Sequence, residues 1–180
     1  MTILRRIARL RVTLGFISSI AVLWLAQPTA RSLAIGAVVA AIGEAIRVWA
    51  AGHLEKGREV TTTGPYAFTR HPLYLGSSII GVGLAIASSS LVAAVLVLAY
   101  LAITLTAAIR TEEAHLTEKF GAAYPAYRDG RATGERRRFS TARVVRNREY
   151  RAVLGLLFVM IALALKCQFT DSLIHYFTNW

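Results

Sequence analysis

The sequence lacks most of the features that mark a disulfide scaffold, a cysteine-based metal centre or a nucleotide-binding loop. Its 180 residues include one cysteine, Cys167, and only four prolines. A single cysteine cannot form an intramolecular disulfide or a multi-cysteine metal site. The chain also has no glycine-rich phosphate loop and no nucleophile elbow of the kind that serine hydrolases use. Function must therefore be sought in other residue types.

Acidic residues are also scarce, while apolar residues are abundant. The chain has 10 Asp and Glu against 21 Lys and Arg, which gives a net charge of +11, and 55% of its residues are hydrophobic. The mean hydropathy is +0.48. In a soluble protein this charge would indicate nucleic acid, but next to long apolar runs it indicates cytosolic loops beside anionic lipid. We therefore expect a bilayer as partner and no nucleic acid.

The apolar residues are gathered in five runs, which predict an all-α, polytopic membrane bundle of about five transmembrane helices. The runs cover residues 12–26, 33–51, 73–87, 91–109 and 152–165. The first run follows a basic N-terminus and is interpreted as a retained helix, because residues 27–30 make a poor signal-peptide cleavage site. Residues 27–32 are predicted to form a turn, and residues 166–180 an aromatic tail at the interface.

We interpret residues 1–180 as a single integral membrane domain. It comprises an N-terminal helical hairpin over residues 1–51, a core over residues 52–128, and a basic segment with a final helix over residues 129–180. The basic stretch within residues 131–151 is most simply a surface that faces lipid headgroups.

The distribution of positive charge predicts the orientation of the helices. Residues 1–11, 52–72 and 110–151 contain 4, 3 and 11 Lys or Arg, which is 18 of the 21 in the chain. Cytosolic loops are enriched in these residues. The N-terminus and both large loops are therefore predicted to be cytosolic, in the cytoplasmic membrane if the source is bacterial.

Two polar motifs flank the hairpin that the third and fourth apolar runs form. Arg70, His71 and Tyr74 lie where the first of these helices begins, and Glu112 and Glu113 lie in a cytosolic extension of the second, which is predicted to end at Gly121. Because antiparallel helices place these two ends side by side, we expect the five side chains to share one site at the cytosolic boundary of the membrane.

Other interpretations of the charged residues remain open. Arg70 and His71 could anchor a helix at the interface, and the acidic pair could balance Arg110. A zinc site made from His71, Glu112 and His115 matches no compact metal motif, so no metal is expected.

Glu44 and Arg47 lie one helical turn apart in the second apolar run and can pair on one face. Charges inside a span are costly and usually face the bundle interior or a cavity. They are either a structural pair near the cytosolic end of the helix or part of a site lining.

The two motifs resemble those of the isoprenylcysteine carboxyl methyltransferase family and the related phospholipid methyltransferases. The resemblance covers about residues 50–128. It rests on Gly64-Pro65-Tyr66, Arg70-His71-Pro72-Leu73-Tyr74-Leu75-Gly76, Glu112-Glu113-x-x-Leu116 and Phe120-Gly121-x-x-Tyr124-x-x-Tyr127.

The resemblance implies an integral membrane methyltransferase that uses S-adenosylmethionine on the cytosolic side and a lipophilic acceptor from the bilayer. His71 would hold the methionine part, Glu112 the ammonium group, and Tyr66 with its loop the adenosine. The implied catalytic residues are Arg70, His71, Arg110 and Glu112. The implied cofactor contacts are Arg58, Glu59, Val60, Thr61, Tyr66, His71, Pro72, Leu73, Tyr74 and Glu112.

The chain departs from the family pattern on the acceptor side. Ala108 occupies the position of the family's substrate-side arginine, with Arg110 nearby, and Arg128-Asp129-Gly130-Arg131 replaces a common Val-Pro segment. The acceptor is therefore left open among an isoprenylcysteine-like carboxylate, a thiol and a lipid amine, and so is the oligomeric state. The alternative functions are an NADPH-dependent membrane reductase related to sterol reductases and a non-catalytic lipid-binding membrane protein.

Overall fold

The described part of the chain is helical. The structure, a computed structural model, describes residue 15, residues 17–131 and residues 137–178, with side chains up to residue 170. Residues 17–25 are helical. The later helices are α1 (Ala30–His53), α2 (Pro72–Ser88), α3 (Leu91–Phe120), α4 (Ala123–Arg128), α5 (Thr141–Arg146) and α6 (Tyr150–Thr178), with a 3₁₀ turn at Gly64–Ala67 before α2. No strand occurs within these ranges, so the predicted all-α class is confirmed.

Three helices are long and apolar enough to cross a membrane. They are α1, α3 and the Tyr150–Thr170 part of α6. Helix α2 is apolar but has only 17 residues, below the usual length of about 20. The first predicted span begins outside the described residues, although residues 17–25 are helical. These lengths fit a membrane bundle in which α2 packs beside longer helices.

Side-chain caps set the first helix boundary earlier than predicted. Thr29 and Ser32 form a capping box, in which each side chain accepts the other's backbone N–H, at 3.1 Å and 3.0 Å. Such a box satisfies donors that a helix N-terminus leaves open. Helix α1 therefore begins at Ala30, and the predicted turn over residues 27–32 is wrong in its second half.

The hairpin of α2 and α3 has the predicted boundaries. A serine turn separates the two helices, with Ser89 at a φ of 48° and the Ser90 hydroxyl accepting the Ala93 N–H. Helix α3 continues past its apolar run and ends at Gly121, where φ is 52°. Glycine adopts this conformation without steric cost, which explains why the helix stops there.

Glycines allow α1 and α2 to touch along their backbones. A Cβ atom at Gly43 would lie 2.6 Å from the Gly76 carbonyl oxygen, and one at Gly83 would lie 2.7 Å from the Gly36 carbonyl oxygen. Small residues let membrane helices approach closely in this way. The crossing holds the N-terminal end of α2 against α1.

The final helix is longer than predicted. Helix α6 runs from Tyr150 to Thr178, so the helix continues through most of the tail expected after Leu165; the interfacial position of that tail stays a prediction. The Lys166 ammonium donates to the carbonyl oxygens of Leu23 and Trp24, at 2.8 Å and 2.6 Å. Leu23 and Trp24 lie in the last turn of the N-terminal helical segment, where backbone carbonyls have no hydrogen-bond donor within the helix. Lys166 supplies that donor.

Arginines of the basic segment bind carboxylates just beyond the end of α1, and the lipid-facing role of this segment stays a prediction. The Glu55 carboxylate lies 3.5 Å from Arg137, 3.6 Å from Arg143 and 2.7 Å from Arg146. Burial by itself raises the pKa of Glu55, but the hydrogen bond and charge of Arg146, with the charges of Arg137 and Arg143, lower it overall. The segment therefore docks onto α1 through a cluster of opposite charges.

Candidate active site

The loop that enters α2 is shaped by a glycine that contacts a buried histidine. Gly64 has a φ of 62°, and a Cβ atom there would lie 2.6 Å from the His53 ring. His53 is buried, and its Nδ1 lies 3.0 Å from the Trp49 carbonyl oxygen. Only glycine fits both the backbone conformation and the space. The start of the loop is thereby held against the end of α1.

His71 lies at the N-terminal boundary of α2. Pro72 is the first residue of the helix, where its missing N–H leaves no hydrogen bond unmade. The His71 carbonyl accepts the backbone N–H groups of Tyr74 and Leu75, at 3.0 Å and 2.9 Å. The first turn thus fixes the direction in which His71 and Tyr74 project.

The Glu113 carboxylate from α3 joins the two motifs. Its Oε1 lies 3.0 Å from His71 Nε2 and 3.4 Å from Arg70 Nη1. The Tyr124 hydroxyl donates to the same oxygen at 3.3 Å. Three groups from two parts of the chain, the loop before α2 and helix α4, therefore converge on one carboxylate oxygen of α3, and the predicted proximity of the two motifs is confirmed.

Glu112 makes a different contact. The Tyr74 hydroxyl donates to its Oε2 at 2.6 Å, while the residue as a whole is exposed. The rings of His71 and Tyr74 lie 5.7 Å apart at their centroids. The site therefore offers a carboxylate open to solvent beside an imidazole, a phenol and the half-exposed guanidinium of Arg70.

Two tyrosines outside the predicted set of site residues complete the cluster. The Tyr127 hydroxyl donates to the Tyr66 carbonyl oxygen at 2.6 Å, which ties α4 to the loop before α2. Tyr124 contacts Glu113 as described above. The sequence signal for these tyrosines is their position shortly after Glu112 and Glu113 in the motifs that resemble the family. Spacing alone does not show that their hydroxyls turn back to the loop.

Burial extends the pH range over which the phenols of Tyr66, Tyr124 and Tyr127 stay protonated. It raises the pKa of Tyr124 to about 12, with the negative charge of Glu113 as the second cause. Burial also raises the pKa of Tyr66 and of Tyr127. A phenol with the ordinary pKa near 10 is already a hydrogen-bond donor at neutral pH, and the raised pKa values extend this state of the three hydroxyls to more alkaline pH.

Two of the four residues at positions 58–61 that are predicted to contact the cofactor bind other groups of the protein. The Glu59 carboxylate pairs with Arg137 at 2.7 Å, and the Thr61 hydroxyl accepts the Glu55 backbone N–H at 3.2 Å. Arg58 is exposed, and no described contact joins it or Val60 to the Glu113 cluster. A cofactor role for residues 58–61 stays a prediction.

On the acceptor side, the two positions of interest differ in environment. Ala108 is buried within α3. Arg110 is exposed, and it forms no ion pair with any residue that the structure describes. The predicted catalytic set thus divides: Arg70, His71 and Glu112 belong to the cluster, whereas no described hydrogen bond or ion pair joins Arg110 to it. Across residues 17–131 and 137–170, no group of three His, Cys, Asp or Glu side chains is arranged to hold a metal ion.

Curated relatives match about half of the chain. The nickel-cobalt-cadmium resistance protein NccN of Alcaligenes xylosoxydans xylosoxydans is 39% identical over 90 residues, which cover 48% of this chain and 40% of that protein. The cobalt-zinc-cadmium resistance protein CzcN of Cupriavidus metallidurans is also 39% identical over 90 residues, which cover 48% of this chain and 39% of that protein. The chain thus spans about two fifths of the length of these relatives. No solved structure matches it.

The sequence profile of a methyltransferase family matches a larger part. It covers residues 11–123, a stretch that includes both motifs and helices α1 to α3. The match extends over more than half of the chain and includes the hairpin on which the Glu113 cluster is built. The chain therefore belongs to the phospholipid methyltransferase family, a group of membrane methyltransferases.

Proposed function

We propose that this protein transfers a methyl group from S-adenosylmethionine to a lipophilic acceptor that arrives from the bilayer. The observation that carries the proposal is the hairpin of α2 and α3, which places Arg70, His71 and Tyr74 against Glu112 and Glu113. Family membership supports methyl transfer as the reaction. The excess of Lys and Arg on one side of the helices supports a cytosolic position for the site.

The charges of the cluster fit this cofactor. Its ammonium group would be held by Glu112, an exposed carboxylate that Tyr74 orients at 2.6 Å. Its carboxylate would be held by Arg70, whose side chain remains 44% exposed beside Glu113. The aromatic face of Tyr74 suits a nearby cation. When bound, the cofactor supplies an electrophilic methyl group on a sulfonium centre.

The residues of the chain contribute by positioning the reactants. Glu113 fixes His71 and Arg70, and Tyr127 fixes the loop that would enclose the adenosine. Methyl transfer by displacement needs alignment of donor and acceptor and exclusion of water, which fixed side chains provide. We assign His71 to cofactor binding. The contact of its Nε2 with Glu113 fixes the orientation of the imidazole ring within the cluster.

The acceptor is proposed to be a lipophilic amine or thiol. Ala108 is buried and uncharged at the position where the resemblance places a substrate-side arginine. A carboxylate acceptor would need a cation near this position, since an unpaired carboxylate in a low-dielectric site is costly. Arg110, two residues further along α3, is exposed, and it is the cation nearest in sequence to Ala108 that would have to pair with a carboxylate acceptor.

A thermal-shift comparison separates this proposal from the reductase alternative. The purified chain in mild detergent is heated with S-adenosylhomocysteine or with NADPH. A ligand that binds only the folded state raises the melting temperature. We expect S-adenosylhomocysteine to raise it and NADPH to leave it unchanged, whereas the reverse result would favour the reductase.

A labelling assay separates catalysis from simple lipid binding. The protein is incubated with methyl-labelled S-adenosylmethionine and a lipid extract, and transfer of label to the organic phase is measured. We expect transfer by the natural chain, loss of transfer in Glu112→Gln, and retention in Glu118→Gln, which alters an exposed carboxylate on the same helix. Equal labelling with and without protein would contradict the proposal.

A further inference from the structure

A partly buried arginine in α1 hydrogen-bonds to the start of α2. Arg47 donates through Nη1 to the Ser77 hydroxyl at 2.5 Å and to the Leu73 carbonyl oxygen at 3.4 Å. Its stem passes close to Gly76, where a Cβ atom would lie 2.5 Å from Arg47 Cγ. The glycine thus gives the side chain space to reach the turn that follows His71.

The other side of the guanidinium is held by a residue near the C-terminal helix. Arg47 Nη2 lies 2.6 Å from Glu149 Oε1, and Glu149 is only 6% exposed. Glu44, the partner expected from the sequence, lies further away at 3.8 Å. Both of its carboxylate oxygens are buried, and no described group donates a hydrogen bond to them; Glu149 Oε1 likewise accepts no described hydrogen bond, but its ion pair with Arg47 is the shorter one. Glu149 is therefore the principal partner of Arg47.

Glu149 lies outside the part of the chain that the methyltransferase family matches. That match ends at residue 123. Glu149 follows α5, whose side chains dock on the end of α1, and it immediately precedes α6. The contact with Arg47 therefore joins the C-terminal segment to the turn that carries the predicted site.

We infer that Arg47 is a positioning residue for the methyl-transfer site, held by Glu149 and acting through Leu73 and Ser77 on the first turn of α2. This inference rests on the proposed function. Leu73 lies between His71 and Tyr74, so a shift of the Leu73 carbonyl moves both side chains away from the carboxylates of α3. The fork of a guanidinium can bind an acid and two oxygens of a neighbouring helix together, which a lysine ammonium does less well.

Two neighbouring serines provide a matched pair of variants. Ser77 and Ser78 both donate to the carbonyl four residues earlier, at 2.9 Å and 3.0 Å. Only the Ser77 hydroxyl also accepts from Arg47. Ser77→Ala therefore removes the contact with Arg47, while Ser78→Ala removes the same kind of helix bond without it.

The test measures the full-length protein in lipid nanodiscs in two ways. Hydrogen exchange of the peptide covering residues 71–78 reports the order of the turn, and titration with S-adenosylhomocysteine reports the site. We expect Arg47→Met and Ser77→Ala to speed exchange in this peptide and to weaken binding about tenfold, a change typical of residues that couple to a site without contacting its ligand. Ser78→Ala should leave both values close to those of the natural chain.

A second control separates positioning from general loss of stability. Gly83→Ala perturbs the other end of the crossing between α1 and α2, where a Cβ atom would lie 2.6 Å from the Ala40 backbone nitrogen. It should lower the melting temperature without weakening ligand binding.

The outcomes distinguish this inference from the proposed function. Binding that is unchanged in Arg47→Met and Ser77→Ala, or that falls equally in Ser78→Ala or Gly83→Ala, overturns the positioning role. Exchange in residues 71–78 that does not respond to Arg47→Met overturns it as well, whether or not a ligand binds. Absence of S-adenosylhomocysteine binding by the folded natural chain overturns the proposed function instead.

Discussion

Among single residues, Glu113 makes the contacts that join the two halves of the predicted site. Its Oε1 faces the imidazole of His71, the guanidinium of Arg70 and the hydroxyl of Tyr124. Hydrogen bonds that involve a charged partner are stronger than neutral ones. Glu113 therefore orders three side chains that would otherwise have separate rotamer freedom.

We predict that Glu113→Gln weakens S-adenosylhomocysteine binding by about 1–3 kcal/mol, because an amide cannot offer the same charge to Arg70 and His71. Isothermal titration measures the change. Glu118→Gln is the control, since this carboxylate is exposed on the same helix and forms no ion pair with a described residue. Equal affinity in both variants would show that Glu113 does not organise the site.

The raised pKa of Tyr124 predicts a stability loss at high pH. Since its pKa is raised from 10.0 to about 12, the folded state keeps the proton over a range in which the unfolded chain loses it. The contribution to stability is therefore complete below pH 10 and is lost as the pH rises towards 12. Thermal unfolding at several pH values measures the slope, which we expect to be shallower in Tyr124→Phe. An unchanged slope would mean that Tyr124 does not contribute to it.

Sequence reasoning identified the residue types of the site better than their partners. The proximity of Arg70, His71 and Tyr74 to Glu112 and Glu113 follows from an antiparallel hairpin, and the structure confirms it. That Glu113, rather than Glu112, receives His71 depends on side-chain rotation about α3. A one-residue difference turns a helical side chain by about 100°, which composition and spacing do not resolve.

At the level of helices, the crossing of α1 and α2 depends on the absence of side chains. Gly43 contacts the Gly76 carbonyl and the Ile80 backbone nitrogen, where a Cβ atom would lie at 2.6 Å and 2.8 Å. Backbone atoms cannot move aside as a flexible side chain does. The helices would therefore have to separate to accept even an alanine.

We predict that Gly43→Ala destabilises the protein by about 1–3 kcal/mol, the usual cost of overpacking. Gly155→Ala is the matched control in α6, because a Cβ atom at Gly155 would meet nothing within 4 Å. Thermal unfolding in the same detergent compares the two. A loss in Gly155→Ala as large as that in Gly43→Ala would contradict the close-packed crossing.

The helix boundaries that the sequence predicted well are those with strong local signals. Pro72 and Gly121 mark the start of α2 and the end of α3 as expected. The end of α6 was missed because Lys166 interrupts the apolar run, and its bonds to the Leu23 and Trp24 carbonyls are long-range. A polar residue with a distant partner cannot be distinguished from a helix end in the sequence alone.

For the whole molecule, opposite charges attach the C-terminal segment to the family-matched core. Glu55 binds arginines from both sides of Phe139, and the Asn147 amide donates to the Ala51 and Leu54 carbonyls at 2.9 Å and 3.0 Å. The sequence indicated a basic segment but not its partners. From the sequence, this segment is expected to be part of a cytosolic loop with a surface that faces lipid headgroups, and neither role involves a distant part of the chain. The observed contacts join residues more than 80 positions apart.

The charge distribution predicts which ends of the helices share one side of the membrane. We expect Lys56→Cys and Glu118→Cys to react from the same side, and Ser89→Cys from the other, because α2 and α3 form one hairpin. Labelling with a membrane-impermeant maleimide, in a Cys167→Ser background and in vesicles of known orientation, measures this. All three positions are exposed. Labelling of Ser89→Cys from the same side as Lys56→Cys would contradict the topology.

The function of the whole molecule depends on whether the Glu113 cluster holds the proposed cofactor. Isothermal titration of the folded, full-length chain with S-adenosylhomocysteine, alongside His71→Ala, measures this directly. We predict saturable binding by the natural chain and binding at least about tenfold weaker in His71→Ala, the usual scale for loss of a hydrogen bond to a charged group. No saturable binding by the natural chain, or equal binding by His71→Ala, would contradict the assignment of this cluster as the methyl-donor site.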